Sequence, residues 1–184
     1  MKIPTILPVA MGTILLSLLL TGCSTKPVDE LKMTTEAMND ARTVEASKYA
    51  PQQWDRAQAQ WQEANALIHM GRYSEARSVF VDAIASYKEA QAEAKRSVEN
   101  LQIEVKALQS SAETELEKIE NELKSSKIKP SVRMRVEDAL PGLDEKISMM
   151  NVAFDAGDFL MARVDGQEAV RYMDDLQKKL DAGK

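Results

Sequence analysis

Residues that could carry out chemistry are few in this chain of 184 residues. It contains one cysteine, Cys23, and one histidine, His69. A single cysteine excludes a disulfide framework and the paired-cysteine motifs of zinc and redox sites. There is no GxSxG, HExxH, P-loop or GxGxxG motif, and acidic pairs such as Asp174-Asp175 fall on the surfaces of predicted helices. His69 falls at the end of a predicted helix, where the helix dipole suits a histidine that has no catalytic role. The sequence therefore predicts a protein that is not an enzyme and holds no metal.

Cys23 stands directly behind an apolar run. Lys2 gives the chain a positive start, and residues 9–20 are almost all apolar. A run of this length is typical of a signal peptide and is too short to span a bilayer. The run ends in Leu20-Thr21-Gly22-Cys23, which resembles the bacterial lipoprotein signal.

The resemblance implies how the N-terminus is processed. Residues 1–22 would be a signal peptide removed by cleavage between Gly22 and Cys23. Cys23 would then carry covalent diacylglycerol and an N-acyl lipid such as palmitate, and residues 23–30 would form the lipidated tether. Ser24 stands where an Asp would retain an enteric lipoprotein in the inner membrane. We therefore expect a lipid anchor in the outer membrane and a protein that faces the periplasm.

Charge is distributed unevenly along the chain. The formal net charge is −5, which argues against a nucleic-acid partner, because such a partner needs a basic face. One local run is basic and contains no acidic residue, and it is a candidate contact for an anionic partner such as lipid head groups or cell-wall polymer. The alternative is a solvated loop between helices. The run comprises Lys124, Lys127, Lys129, Arg133 and Arg135.

The composition and the apolar spacing predict an all-α fold. Ala, Glu, Gln, Lys, Leu and Met dominate, and no stretch alternates apolar and polar residues as a strand would. We expect helices over about 28–48 and 51–69, one long coiled-coil-like helix over 76–123, and shorter helices over 131–140, 143–156 and from 159 onward. Weak helix formers at Ser110-Ser111 leave open whether the long helix is continuous. The domain organisation would be an N-terminal hairpin and long helix (31–127) and a C-terminal hairpin (128–184).

Aromatic and sulfur side chains are predicted to fill the core. Six of the nine aromatics lie between Tyr49 and Tyr87 at helical spacing, which favours a core over a ligand groove. Eight methionines follow Cys23, including Met149 and Met150, and their scatter favours gap-filling over copper binding.

A loose repeat occurs at an offset of 86 residues. Gly71-Arg72-Tyr73, followed by Ala76 and Ala83, recurs as Gly157-Asp158-Phe159, followed by Ala162 and Ala169. Each unit is a helix, a glycine turn, an aromatic residue and two small residues. This pattern resembles the helical hairpin of tetratricopeptide repeats. The resemblance implies that the elongated molecule is built from helical hairpins around the long helix.

A narrower resemblance covers roughly residues 23–100. It is to a family of bacterial envelope lipoproteins that share the domain of unknown function numbered four-three-nine-eight. The family implies an all-helical envelope protein without catalytic residues. Arg72 departs from the acidic residue usual in its glycine turn. The matching residues are Ala46-Ser47-Lys48-Tyr49-Ala50-Pro51-Gln52-Gln53-Trp54, Ala57, Trp61, Ala64, Gly71-Arg72-Tyr73 and Ala76.

These observations favour a non-enzymatic interaction or scaffold protein of the cell envelope, tethered to the membrane through Cys23. Its partner would be another envelope protein. The alternative is a spacer between the outer membrane and the cell wall that self-associates through the long helix. The terminal Lys184 resembles the residue by which Braun's lipoprotein is joined to peptidoglycan, so peptidoglycan is a further candidate partner.

Overall fold

The computed structural model describes residues 25–125 and 127–183, and all regular secondary structure in these ranges is helical. This confirms the all-α fold class. No helix in the described ranges combines the length and the apolarity needed to cross a membrane. The helices are α1 (Val28–Thr43), α2 (Ala46–Tyr49), α3 (Pro51–His69), α4 (Tyr73–Leu123), α5 (Pro130–Glu137), α6 (Leu140–Asp155) and α7 (Phe159–Asp181).

Helix α4 is the spine of the molecule. Its 51 residues span about 75 Å at 1.5 Å per residue. Ser110 and Ser111 do not interrupt it, since both are exposed and the Ser110 carbonyl accepts a hydrogen bond from Thr114 Oγ1 at 2.9 Å. Two exposed serines cost a helix about 0.5 kcal/mol each, which the packing of its opposite face offsets. We call the Tyr73 end of α4 proximal and the Leu123 end distal.

Two helices cover the proximal half of α4. Helix α3 runs antiparallel to it, so that Trp54 at the start of α3 meets Tyr87 with ring centroids 5.5 Å apart. Helix α1 runs parallel to α4, and Glu30 near its start lies 2.6 Å from Arg77. Small side chains let the helices approach closely. The buried apolar residues of α1, α3 and this half of α4 are Ala37, Met38, Ala41, Ala57, Ala64, Leu67, Ala76, Phe80, Ala83, Tyr87, Ala90 and Ala94.

The six aromatics predicted for the core divide into two groups. Tyr49, Phe80 and Tyr87 are buried, whereas Trp54, Trp61 and Tyr73 are partly exposed. The first three lie in the core as predicted, Trp54 and Trp61 pack against its edge, and Tyr73 belongs to none of the core clusters. The closest face of α3 is occupied by alanines, which leaves the larger indole rings at the rim of the core.

Helix α7 covers the distal half of α4, and α6 packs mainly against α7 and touches α4 as well. Both C-terminal helices therefore contact the distal half of the long helix as predicted, and α7 makes most of the contact. Gly166 marks the closest approach, because a Cβ atom there would lie 2.8 Å from Met150 Sδ and 3.0 Å from Leu108 Cδ1. The core of this half contains Val105, Ala112, Ile119, Leu123, Leu143, Met150, Met173, Leu176 and Leu180.

The two glycine turns share one backbone geometry. Gly71 and Gly157 have φ angles of 73° and 78°. In each turn the glycine N–H donates to the carbonyl three residues back, at 3.0 Å, and the next N–H donates to the carbonyl five residues back, at 2.9 Å. This is the Schellman arrangement that closes helices with a left-handed glycine. The next helix starts at Tyr73 in one case and Phe159 in the other, so the 86-residue offset holds in the backbone as well as in the sequence.

The predicted helix over 28–48 is interrupted near its end. Helix α1 ends at Thr43, and Glu45 takes a left-handed conformation with φ 52° before the short helix α2. The turn redirects the chain so that Tyr49 and Ala50 become buried. The tether expected over 23–30 also ends earlier, since Pro27 is buried and α1 begins at Val28.

The expected break at Pro141-Gly142 is also wrong. Both residues lie in the first turn of α6, where a proline loses no helical hydrogen bond. The chain is instead interrupted at Asp138 and Ala139, after α5.

The prediction for the methionines holds for three that are buried and fails for five that are exposed. The buried set is Met38, Met150 and Met173, and the exposed set is Met33, Met70, Met134, Met149 and Met161.

Candidate functional site

The distal end of the molecule carries the predicted basic run. Helix α4 ends at Leu123, and a loop leads to α5, which lies against the end of α7. Two buried side chains, Ile128 and Val136, fix the loop and α5 to the core. The loop also bonds to the last described residues, because the Lys129 N–H donates to the Gly183 carbonyl at 3.3 Å. The basic side chains therefore stand on an anchored segment.

Arg133 differs from the other four basic residues. It is half-buried, and its Nη2 donates to the Ser125 carbonyl at 2.6 Å. This bond ties α5 to the loop that leaves α4, so we assign Arg133 a role in positioning the loop. Of the five residues in the predicted contact, Arg133 is the one that is half-buried and not exposed.

The remaining four side chains are exposed. Lys124 Nζ donates to Asn121 Oδ1 at 3.1 Å, and Arg135 Nε donates to the Ser131 carbonyl at 3.1 Å. Within the described part of the chain, none of Lys124, Lys127, Lys129 and Arg135 forms an ion pair. Their charges are therefore not neutralised by the fold.

The structure places a further basic residue, Lys179, beside this run, although the sequence did not indicate it. Lys179, near the end of α7, lines a cavity of about 360 Å³ together with Arg135 of α5. Val132 and Ala182 form the apolar part of the lining. Lys179 lies 44 positions from Arg135 in the sequence, so spacing alone does not join them. A cation in the last turn of an amphipathic helix was the available signal. We call the surface formed by Lys124, Lys127, Lys129, Arg135 and Lys179 the distal basic tip.

A second polar cluster lies halfway along α4, where the two hairpins meet. Lys48 Nζ is 3.0 Å from Asp158 Oδ1, and the Tyr49 hydroxyl donates to the Gly157 carbonyl at 3.2 Å. The hydrogen bond from Lys48 lowers the pKa of Asp158, and the bond to Asp158 raises the pKa of Lys48. Asp158 also caps α7 by accepting from the Met161 N–H at 3.2 Å. This cluster joins α2 to the second glycine turn.

The proximal end is where the described chain begins. The Thr25 carbonyl accepts a hydrogen bond from Arg77 Nη2 at 3.3 Å, about one turn from the start of α4. The predicted lipidation site Cys23, the cleavage position Gly22 and the terminal Lys184 lie outside the described residues. His69 is the exposed last residue of α3, as the sequence predicts. In the described ranges, no group of three or more His, Cys, Asp or Glu side chains is arranged to hold a metal ion.

The fold and these surfaces define an all-α protein of two glycine-turn hairpins packed along one spine helix. No protein-family model, no curated protein and no solved structure matches the chain. The resemblances drawn from the sequence therefore stay predictions.

Proposed function

We propose that this protein is a non-enzymatic, lipid-anchored scaffold of the bacterial cell envelope that faces the periplasm. The observation that carries the proposal is the position of its two ends. The segment next to Cys23 is bonded to the proximal end of α4, and the distal basic tip stands at the opposite end. The lipid would lie at one end of the protein and the binding surface at the other, separated by about 75 Å of helix. A protein built in this way can hold a partner away from a membrane.

The anchor end is defined by chain geometry. Cys23 is two residues from Thr25, and two residues of chain span at most about 7 Å. Because Thr25 is bonded to Arg77, a lipid on Cys23 would enter the membrane close to the proximal end of α4. Two or three acyl chains hold such an anchor stably. Ser24, which stands where an Asp would retain an enteric lipoprotein in the inner membrane, supports the outer membrane as the location of the anchor.

The coverage of α4 supports a scaffold over the self-associating alternative. Its apolar stripe is buried by α1 and α3 on the proximal half and by α7 on the distal half. Val105, Ala112 and Ile119 are at most 1% exposed within a single chain. The long helix therefore has no need of a second copy to cover it, and the surfaces left for a partner are the outer faces and the tip.

The experiment uses tagged protein in living cells. Cells expressing the wild type or Cys23→Ala are fed alkyne-palmitate, cross-linked, and the protein is recovered through a C-terminal tag. We expect label only on the wild type, and an envelope partner recovered with the wild type but not with Cys23→Ala. Equal labelling of both would refute the anchor. Recovery of nothing except the protein itself would move the self-associating spacer to first place.

A further inference from the structure

We propose that the distal basic tip binds carboxylate groups of the peptide stems of the cell wall. The inference rests on the proposed function for the direction in which the tip points, and it names the chemistry of the partner. Three features of the molecule support this ligand: a charge imbalance, a cavity lined by charged and apolar side chains, and the position of that cavity relative to the anchor.

The charge imbalance is local and strong. Residues 124–135 contain five basic side chains and no acidic one, in a chain whose net charge is −5. Because the loop and helix that carry these cations are anchored, binding an anion costs little backbone freedom, which favours binding. The acidic residues Glu137 and Asp138 follow at the end of α5, and no ion pair joins either to the tip among the described residues.

The lining of the cavity between α5 and α7 indicates which ligand fits there. Arg135 and Lys179 come from different helices and line the same space of about 360 Å³. Arg135 uses its Nε within its own helix, and among the described residues no hydrogen bond is formed by its terminal N–H groups. Val132 and Ala182 offer small apolar contacts. Two cations beside a small aliphatic surface fit a carboxylate next to a methyl group, which is the chemistry of an alanine terminus.

The position of the cavity selects the wall over the anchoring membrane. The tip lies at the far end of about 75 Å of continuous helix from the point where a lipid on Cys23 would insert. Head groups of the anchoring membrane are therefore out of its reach when α4 stands away from the surface. The polymer that carries carboxylates in the periplasm is the cell wall. Head groups of a facing membrane share the anionic charge but not the small aliphatic group.

The test is sedimentation of the full-length lipoprotein, solubilised in mild detergent, with purified peptidoglycan sacculi at about 0.15 M salt. We expect Arg135→Ala/Lys179→Ala to weaken binding about tenfold or more, because it removes two charge-assisted hydrogen bonds. Lys88→Ala/Lys106→Ala removes the same charge from exposed positions on α4 and should bind as the wild type does. Sacculi whose carboxyl groups have been converted to amides should no longer sediment the wild type. Far-UV circular dichroism checks that each variant is folded.

Two outcomes overturn the proposal. In one, the tip variant and the control variant bind sacculi equally well. In the other, lipoprotein inserted in phosphatidylcholine vesicles tethers phosphatidylglycerol vesicles through the tip but does not bind sacculi, which would identify head groups as the ligand. Sacculus binding in detergent does not require the anchor, and palmitate labelling does not require the tip. Failure of this proposal is thus distinguishable from failure of the proposed function.

Discussion

Tyr87 carries a hydroxyl group that the fold isolates, and removing that group should stabilise the protein. Tyr87 is fully buried in the proximal core, and its hydroxyl has no hydrogen-bond partner among the described residues. A buried hydroxyl without a partner costs about 1–3 kcal/mol of stability. Tyr87→Phe keeps the ring and its edge contact with Trp54. After allowance for the small void left behind, we expect the free energy of unfolding at pH 7 to rise by about 1 kcal/mol.

The same burial makes the effect depend on pH. Burial raises the pKa of Tyr87 from 10.0 to about 12, although nearby Arg42 opposes the shift. The folded state holds the hydroxyl proton of Tyr87 more tightly than the unfolded chain does. The stability that comes from this tighter proton binding is complete below pH 10.0 and is lost as the pH rises toward 12. At pH 11 the wild type should have lost about 1.4 kcal/mol through this group. The advantage of Tyr87→Phe should therefore grow to about 2.4 kcal/mol at that pH.

The assay is urea unfolding followed by circular dichroism at pH 7, 9 and 11. Tyr172→Phe is the matched control, since the Tyr172 hydroxyl donates to the Ala139 carbonyl at 3.2 Å. Losing that bond should cost about 0.5–1.5 kcal/mol. If Tyr87→Phe destabilises the protein at pH 7 as much as Tyr172→Phe does, the hydroxyl has a partner in solution and the reasoning fails. An unchanged difference between wild type and Tyr87→Phe from pH 7 to 11 would refute the pKa argument separately.

Three further predictions concern packing, turns and acid. Phe80→Ala should cost about 3–5 kcal/mol by leaving a cavity, whereas Val81→Ala on the exposed side of the same helix should stay within about 0.5 kcal/mol; equal midpoints in urea would contradict this. Gly71→Ala and Gly157→Ala should each cost about 1 kcal/mol, because both positions have positive φ and open space for the methyl group. Thermal unfolding that leaves either variant unchanged would contradict that account of the turns. Asp158→Asn should flatten the loss of stability in acid, since the lowered pKa of Asp158 contributes stability that is present above pH 3.8 and is lost as the pH falls through the folded value. Parallel acid titrations of the wild type and the variant would disprove it.

The helical hairpins could be predicted from sequence because their signals are local. A left-handed glycine, an aromatic residue and two alanines at helical spacing determine each turn and the helix that follows it, and both copies take the same geometry. The break at Glu45 could not be predicted in this way, because a glutamate carries no preference for positive φ. The packing of Tyr49 against the second hairpin supports that conformation, and this contact joins residues 108 positions apart.

Proline shows why some boundaries were correct and others wrong. Pro51 and Pro141 obey the same rule, since each sits in the first turn of a helix where its missing N–H does no harm. At Pro51 the preceding residues also end a helix, so a break and a start coincide. At Pro141 the break comes earlier, at Asp138 and Ala139. Local sequence does not distinguish a proline that follows a break from one that makes it.

The site was found only in part for the same physical reason. The basic run is continuous in sequence, so its charge could be recognised directly. Tertiary contacts decide which cations stay available to a partner. Arg133 bonds to the Ser125 carbonyl in the loop, and Lys179 of α7 lies at the cavity. A binding surface made by the ends of two helices is a property of how the helices pack, and periodicity reports only which face of each helix is apolar.

The junction at Tyr49 explains how the two hairpins can form one body. Helix α4 alone would be a flexible connector where neither hairpin covers it, between the end of α1 and the start of α7. The contacts of Lys48 and Tyr49 with the turn at Gly157 and Asp158 close that gap, so that helices lie alongside α4 over its full length. Under the proposed function, the distance between the lipid on Cys23 and the distal basic tip would then be set by the length of α4. A scaffold that must hold a partner at a fixed height above a membrane requires this property, and a pair of independently moving hairpins would not supply it.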